Sequence, residues 1–386
     1  MSMRKNMKKS GILRIGLKLL ISDKTKFSAL LIGISFAVFL MTQMTAMFAG
    51  ILNRAHSTVT NIGAAMWIID PAVNTPTSSV PLPDYLLDIM RSMEGVEYAL
   101  PLFIGGAQLR LASGTYQGVT VVGLDDASLF GRPELEQGQL QDIYADDSFF
   151  VVNDAEYGKL ENPALGSTFE LNDHRGVIAG IAKVASNGLN GVPTLYTTYS
   201  RAIEYIPSTR FTLSYILVKP SNAEAIANIK RNVSQLGYLA LTREEFSKRI
   251  TDFYTYKTGI GTNILLMTVI SFLVGLSISG QTFYSFITEN VEKFGALKAI
   301  GAKGSDLIVM ILGMALLTSM TGFGLGIGLV TITVTLVRTV LPNYAAMITF
   351  LNLALALCMV IIIAAVSSWF AIRRVLKIEP FDIFRS

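Results

Sequence analysis

The chain has 386 residues and a formal net charge of +4, and its mean hydropathy of +0.48 is high. With 51% hydrophobic and only 16% charged residues, it is too apolar for a soluble chain of this length. The single cysteine, Cys358, excludes an internal disulfide framework.

From the N-terminus, residues 1–26 carry eight basic side chains (Arg4, Lys5, Lys8, Lys9, Arg14, Lys18, Lys24, Lys26) against one acid, Asp23. Within them, residues 10–21 place Ile12, Ile15 and Leu19 on one helical face and Arg14 and Lys18 on another. That pattern predicts an amphipathic helix in the membrane interface, with a simple extension of the first span as the alternative. Residues 27–53 are free of Asp, Glu, Lys and Arg, and further uncharged runs lie between Lys257 and Glu289 (31 residues), Asp306 and Arg338 (31), and Arg338 and Arg373 (34). Each exceeds the roughly 20 residues that a helix needs to cross a bilayer core. The first is also longer than a signal-peptide core, so it reads as a retained span.

The expected fold is therefore a membrane α-helical protein in a 1+3 arrangement: a span at 27–53, then spans at 258–288, 306–337 and 350–372, with a short loop at 338–349. A large α+β domain of two lobes, residues 54–257, separates the first span from the rest. Residues 53–260 hold 16 basic and 22 acidic side chains, whereas the loop 289–305 holds Lys293, Lys298 and Lys303 and the tail 373–386 holds Arg373, Arg374, Lys377 and Arg385. Basic residues stay on the cytoplasmic side. Both termini and the 289–305 loop are thus expected inside and the large domain outside. Basic charge set directly against a span is a topology signal, so a nucleic-acid partner is not expected.

Within the large domain, residues 64–70 read as a strand stopped by Pro71, and 84–93 as a helix with Leu87, Met90 and Met93 apolar. Strands are expected at 98–104, 107–112 and 118–124, punctuated by Gly105-Gly106 and Ser113-Gly114, and again at 148–153, 167–171, 176–183 and 194–198. A strand at 213–218, a helix at 222–236 and a strand at 238–241 follow. Thr242 and Glu245 then form a capping box, starting a helix that could run through 246–256 as a stalk towards the second span. Two lobes are expected: an α/β lobe from both ends of the insert, and a β-rich lobe of about 125–210 inserted in it.

Catalytic patterns are missing. His56 and His174 have no neighbouring ligands at metal spacing, and Asn172–Gly176 reads as a turn; both histidines are read as solvated. Asp125-Asp126 and Asp146-Asp147 read as loop charge. The stretch from Gly301 to Ser305 fails the spacing of a phosphate-binding loop. Gly322, Gly324, Gly326 and Gly328 form two overlapping G-x-x-x-G pairs inside a span, suited to close helix packing within one subunit or across a dimer. No charge lies inside the four runs, which argues against an ion or solute pathway, and Asn263 and Gln281 read as packing residues.

The most distinctive local sequence is ENVEKFGALKAIGAKG, residues 289–304. Val291, Phe294, Leu297 and Ile300 recur every three residues as an apolar stripe, with Glu292, Lys293 and Lys298 off it. Gly301 ends the helix, and Ser305-Asp306 can cap the next one. Two uses are open to such a helix: lying on the lipid surface, or docking into a groove on a cytoplasmic partner.

The stretch from Val291 to Ala302 resembles the E-[FY]-x-x-L-[KR]-A-[IM]-G segment of MacB/FtsX-type ABC transporter permeases, departing from it at Lys293, between Glu292 and Phe294. Ala65-Met66-Trp67-Ile68-Ile69-Asp70 resembles their first ectodomain strand, and Val121-Val122-Gly123-Leu124-Asp125 a later one. Leu241-Thr242-Arg243-Glu244-Glu245-Phe246 and the tail (Arg373, Arg374, Val375, Glu379, Pro380, Asp382, Ile383, Phe384) are most similar to the DevC, heterocyst-type exporter subgroup.

That resemblance implies a non-enzymatic inner-membrane permease. It binds no cofactor itself, and ATP and Mg act through a separate ABC ATPase subunit. Val291, Glu292, Phe294, Gly295, Leu297, Lys298, Ala299, Ile300 and Gly301 would contact that ATPase. A second permease copy, an HlyD-like periplasmic adaptor, a TolC-like outer-membrane channel and membrane lipids are the other implied partners. ATP-driven movement would pass along the spans, the second about 46 Å long as a helix, to export a glycolipid, another amphiphile or a small molecule. The alternative is an FtsX-like scaffold that activates an external hydrolase. A membrane enzyme ranks last.

Overall fold

The computed structural model describes residues 2–185, 188–189, 191–206 and 213–376. The chain forms two units: residues 1–50 with 261–386, and residues 51–260. Tail residues Lys377, Glu379, Pro380, Asp382, Ile383, Phe384 and Arg385 lie outside the described residues, so the tail motif has no structural account.

The chain starts with helix α1 (Ser2–Ser22), and α2 (Lys24–Ala55) follows after Asp23, whose carboxylate accepts the backbone N–H of Lys26 at 3.2 Å. The large domain then opens with the short helix α3 (Ser57–Ile62) and β1 (Met66–Ile69). Helix α4 (Tyr85–Ser92), β2 (Val96–Arg110), β3 (Tyr116–Leu124), β4 (Glu134–Gly138), β5 (Ser148–Val152), β6 (Thr168–Leu171), β7 (His174–Lys183) and β8 (Thr194–Thr198) come next. They are followed by α5 (Tyr199–Tyr205), β9 (Tyr215–Pro220), α6 (Ala223–Gln235), β10 (Leu239–Thr242) and α7 (Arg243–Asp252).

The ten strands among the described residues join one sheet, in the order β10-β1-β9-β2-β3-β8-β5-β7-β4, with β6 paired to both β2 and β7. Strand β1 is buried on both sides, and its alternation sorts two cores. Met66 and Ile68 meet residues of α4 and α6, including Leu86, Met90, Ile229 and Val233. Trp67 and Ile69 meet Val59 and Ile62 of α3 and Phe246 and Ile250 of α7. At the other end the pairings β2-β3-β8-β5-β7-β6-β2 close a ring, with a third core that includes Phe103, Leu109, Val121, Phe149, Leu171 and Leu195.

The ring alters the expected lobe limits. The inserted stretch of about 125–210 does not form a separate sheet, because β2 and β3, which precede it, are part of the ring and β2 also continues into the α/β end. Nor do Gly105 and Gly106 split β2 into two strands. The Phe103 ring lies over Gly105, where a Cβ would stand 2.6 Å from its Cζ, so a larger residue there would have to displace the ring. The turn expected at 172–176 is confined to Asn172 and Asp173, both with positive φ, and His174 already begins β7.

Thr242 caps α7 as predicted: the N–H of Glu245 donates to its Oγ1 at 3.3 Å, and the N–H of Thr242 donates to Glu245 Oε2 at 2.9 Å. Helical backbone covers the whole expected stalk, residues 246–256, and stops short of the second span. A π-helical turn, Phe253–Lys257, follows α7, and Gly259 at φ +75° interrupts the chain before α8.

Helices α8 (Ile260–Glu289), α9 (Val291–Ala299), α10 (Gly304–Val340) and α11 (Phe350–Leu376) complete the chain. The helices α2, α8, α10 and α11 are each long and apolar enough to cross a membrane. Glycines set their close approaches: a Cβ at Gly33 would stand 2.5 Å from Ile278, and one at Gly322 would stand 2.7 Å from Ile34. Helix α1 packs on α10, where Gly16 sits against Met310 and Leu13 against Gly313. Between residues 11 and 22, Gly16 and Leu20 are buried, whereas Ile15, expected on the apolar face, is exposed.

Candidate functional site

Helix α9 is nine residues long, too short to be stable alone, and is fixed by its ends and one side. At its start, Asn290 is buried; its side-chain amide donates to the carbonyl of Phe286 at 2.9 Å, and Lys293 Nζ donates to Asn290 Oδ1 at 2.8 Å. Just before it, Glu289 forms an ion pair with Lys26 of α2. At its end, the N–H of Ala302 donates to the carbonyl of Leu297 at 2.9 Å and that of Gly301 to Lys298 at 3.1 Å. With Gly301 at φ +101° this is a Schellman termination, which needs glycine at that position. The N–H of Lys303 then donates to Asp306 Oδ2 at 3.1 Å, so Asp306 caps α10.

The predicted stripe divides. Phe294 is fully buried in a cluster with Leu20, Leu30, Phe283, Phe286 and Leu307, and Leu297 packs at its margin. Val291 is half-buried and Gly295 buried. Lys298 is half-buried too, its Nζ reaching the carbonyl of Leu376 at 3.4 Å. Only Ile300 points away from the bundle, 84% exposed. The stripe expected to meet a partner is thus mainly an anchor onto the chain's own helices. The outward face is instead Glu292, Lys293, Ala296, Ala299 and Ile300, with Gly301 beyond it. These residues follow steps of three and four, so one face collects them. Ala296 and Lys293 join this face; apolar spacing identifies a stripe without saying which way it turns.

The glycine pairs of α10 also divide. Gly322 and Gly326 lie against Ile34, Ser35 and Val38 of α2, a contact within one subunit. Gly324 and Gly328 face open space. The loop after α10 folds back on α2: the N–H of Met347 donates to the carbonyl of Ala46 at 2.8 Å, and the Gln43 side chain donates to the hydroxyl of Tyr344.

Among the described residues, no three His, Cys, Asp or Glu side chains are grouped to hold a metal ion. His174 stacks on Tyr205 with ring centroids 4.7 Å apart, and His56 Nε2 lies 3.1 Å from Thr251 Oγ1.

Comparison with known proteins fits this arrangement. The family described as the MacB-like periplasmic core domain matches residues 28–236, more than half of the chain, and the FtsX-like permease C-terminal family matches residues 265–380. No curated protein matches the sequence. Among solved structures, the extracellular domain of the noncanonic ABC-type transporter YknZ from Gram-positive bacteria is 11% identical, covering 46% of this chain and 100% of that one at a TM-score of 0.36. The periplasmic region of MacB from Actinobacillus actinomycetemcomitans is 15% identical, covering 48% and 92% at a TM-score of 0.36. A permease domain from Porphyromonas gingivalis is 14% identical, covering 42% and 77% at a TM-score of 0.28. With four helices long enough to span a membrane and a large α/β domain between the first two, the chain belongs to the MacB/FtsX-type ABC transporter permease family.

Proposed function

We propose that the chain is the permease subunit of an ATP-driven exporter working by mechanotransmission. An ABC ATPase on a separate chain binds ATP and Mg, closes, and pushes on α9; the helix bundle carries the movement to the 51–260 domain. The observation that carries this reading is the division of α9. Its inner side is locked to the bundle by Phe294, and its outer side offers Ile300 among small and charged residues, suited to a groove on a partner.

In this reading the protein sits in the bacterial inner membrane with both termini and α9 in the cytoplasm, as the basic residues near the spans favour. Two copies pair, and the open Gly324 and Gly328 face of α10 supports close helix approach between them. An HlyD-like adaptor and a TolC-like channel continue the route. The cargo is a glycolipid, another amphiphile or a small molecule, as in DevC-type exporters.

The test is Ile300→Asp in the full-length protein with its ATPase. Transport and permease-stimulated ATP hydrolysis should fall to background while membrane insertion and thermal stability stay unchanged. Normal stimulation would overturn the assignment of this face. Ile300 is a cleaner probe than Leu297, whose half-buried side chain also supports the bundle.

A further inference from the structure

Between β10 and the first residue of α8, the chain gathers charge on one side. Helix α7 places Glu245, Lys248, Arg249 and Asp252 three or four residues apart, and together with Phe253 and Lys257 they line an open cleft of about 380 Å³. Lys257 reaches that cleft through the π-helical turn Phe253–Lys257. In an α-helix the nine residues from Lys248 to Lys257 make about two and a half turns, leaving the two on opposite sides. The i→i+5 turn takes the five residues from Asp252 to Lys257 in a single wide turn and returns Lys257 to the side of Asp252. Such single-turn segments concentrate at functional sites.

The charges are not equally available. Arg249 is committed, donating through Nε to the carbonyl of Val73 at 2.7 Å and through Nη2 to that of Pro71 at 2.6 Å. Glu245 is committed to Lys230 Nζ at 2.5 Å and to the N–H of Thr242. Lys248 and Lys257 are exposed, and neither pairs with a carboxylate among the described residues. They outnumber Asp252, the remaining carboxylate of the cleft.

Lys257 also lies three residues before Ile260, where a helix able to cross the membrane begins. Three peptide units reach at most about 11 Å, so Lys257 is within side-chain reach of the headgroup layer. Tyr256, 78% exposed beside it, is the kind of amphipathic ring that settles at a membrane interface.

The geometry points to a phospholipid site: the cleft takes the phosphodiester of an anionic phospholipid from the leaflet that α8 enters, held by Lys248 and Lys257 beside Tyr256. The cleft needs no partner of α9 to take this lipid.

The experiment is native mass spectrometry of the full-length protein in detergent micelles, titrated with phosphatidylglycerol or phosphatidylcholine. The unmodified protein should retain phosphatidylglycerol preferentially. Lys248→Gln with Lys257→Gln should weaken that retention about thirty-fold, while Lys248→Arg with Lys257→Arg preserves it. If the double glutamine variant does not fold, Lys257→Gln alone carries the test with an expected loss of about five-fold. Equal retention of the two lipids, or equal retention by the glutamine variant, would overturn the proposal. Displacement of the lipid by excess inorganic phosphate would also overturn it, assigning a site for free anions instead.

Discussion

Gly326 of α10 lies directly against Val38 of α2: a Cβ on the glycine would stand 2.6 Å from the valine Cβ and 2.8 Å from the carbonyl oxygen of Ser35. Two residues further on, Gly328 meets nothing within 4 Å. Two glycines of one helix, two residues apart, therefore have different surroundings, the first packed against α2 and the second open.

Gly326→Leu should force α2 and α10 apart, at a cost of about 1–3 kcal/mol or more. A lower melting temperature and faster proteolysis of the full-length protein in detergent would report it. Gly328→Leu should leave the melting temperature unchanged and, where two copies pair through this face, reduce cysteine crosslinking between copies. Equal melting temperatures for the two variants would refute the division.

Trp67 anchors the large domain in the same specific way. It is fully buried, with ring centroids 5.6 Å from both Tyr215 of β9 and Phe246 of α7. Trp67→Ala should cost about 3–5 kcal/mol, read as lost amide protection in β1, β9 and α7. Trp67→Phe should cost less, because it keeps an aromatic ring and removes an indole N–H that has no acceptor among the described residues.

These contacts show which parts of the fold could be read in advance. The spans were legible because lipid-crossing helices need long uncharged runs, and the Thr242 cap because its two partners are three residues apart. The ring of strands was not, since its closure rests on Leu109 pairing with Leu171 and Arg110 with Glu170, contacts between residues about sixty apart that no local pattern encodes. β4, with the sequence ELEQG, is a mostly exposed edge strand lacking the apolar alternation that marks a half-buried one. At the candidate site, the helix and its glycine terminus were legible from spacing. The direction of its apolar stripe was not, because a hydrophobic face suits a partner as well as the chain's own core.

His56 should give stability a pH dependence of definite sign. Burial lowers its pKa below the ordinary histidine value, against a hydrogen bond to the Ser247 backbone that raises it, and its Nε2 is 3.1 Å from Thr251 of α7. The unfolded chain, with a histidine pKa of about 6.5, then takes up a proton more readily than the folded one. The contribution is complete above about pH 6.5 and is lost as pH falls from there through the lowered folded pKa. His56→Gln should flatten the melting temperature over that window, and an unchanged slope would refute the linkage.

Phe294 marks the inner side of α9. It is buried in one cluster with side chains from α1, α2, α8 and α10: Leu20, Leu30, Phe283, Phe286 and Leu307. Phe294→Ala removes the shared contact and should cost about 3–5 kcal/mol, raising amide exchange in α9 and in the first turns of α10 together. Ile300→Ala removes a side chain that is 84% exposed and should leave both segments protected. Loss of coupling in Phe294→Ala would then follow from a loosened bundle, and loss in Ile300→Ala from a missing partner contact. If Ile300→Ala also raised exchange in α10, the outward face would be part of the anchor and the division of α9 would fail.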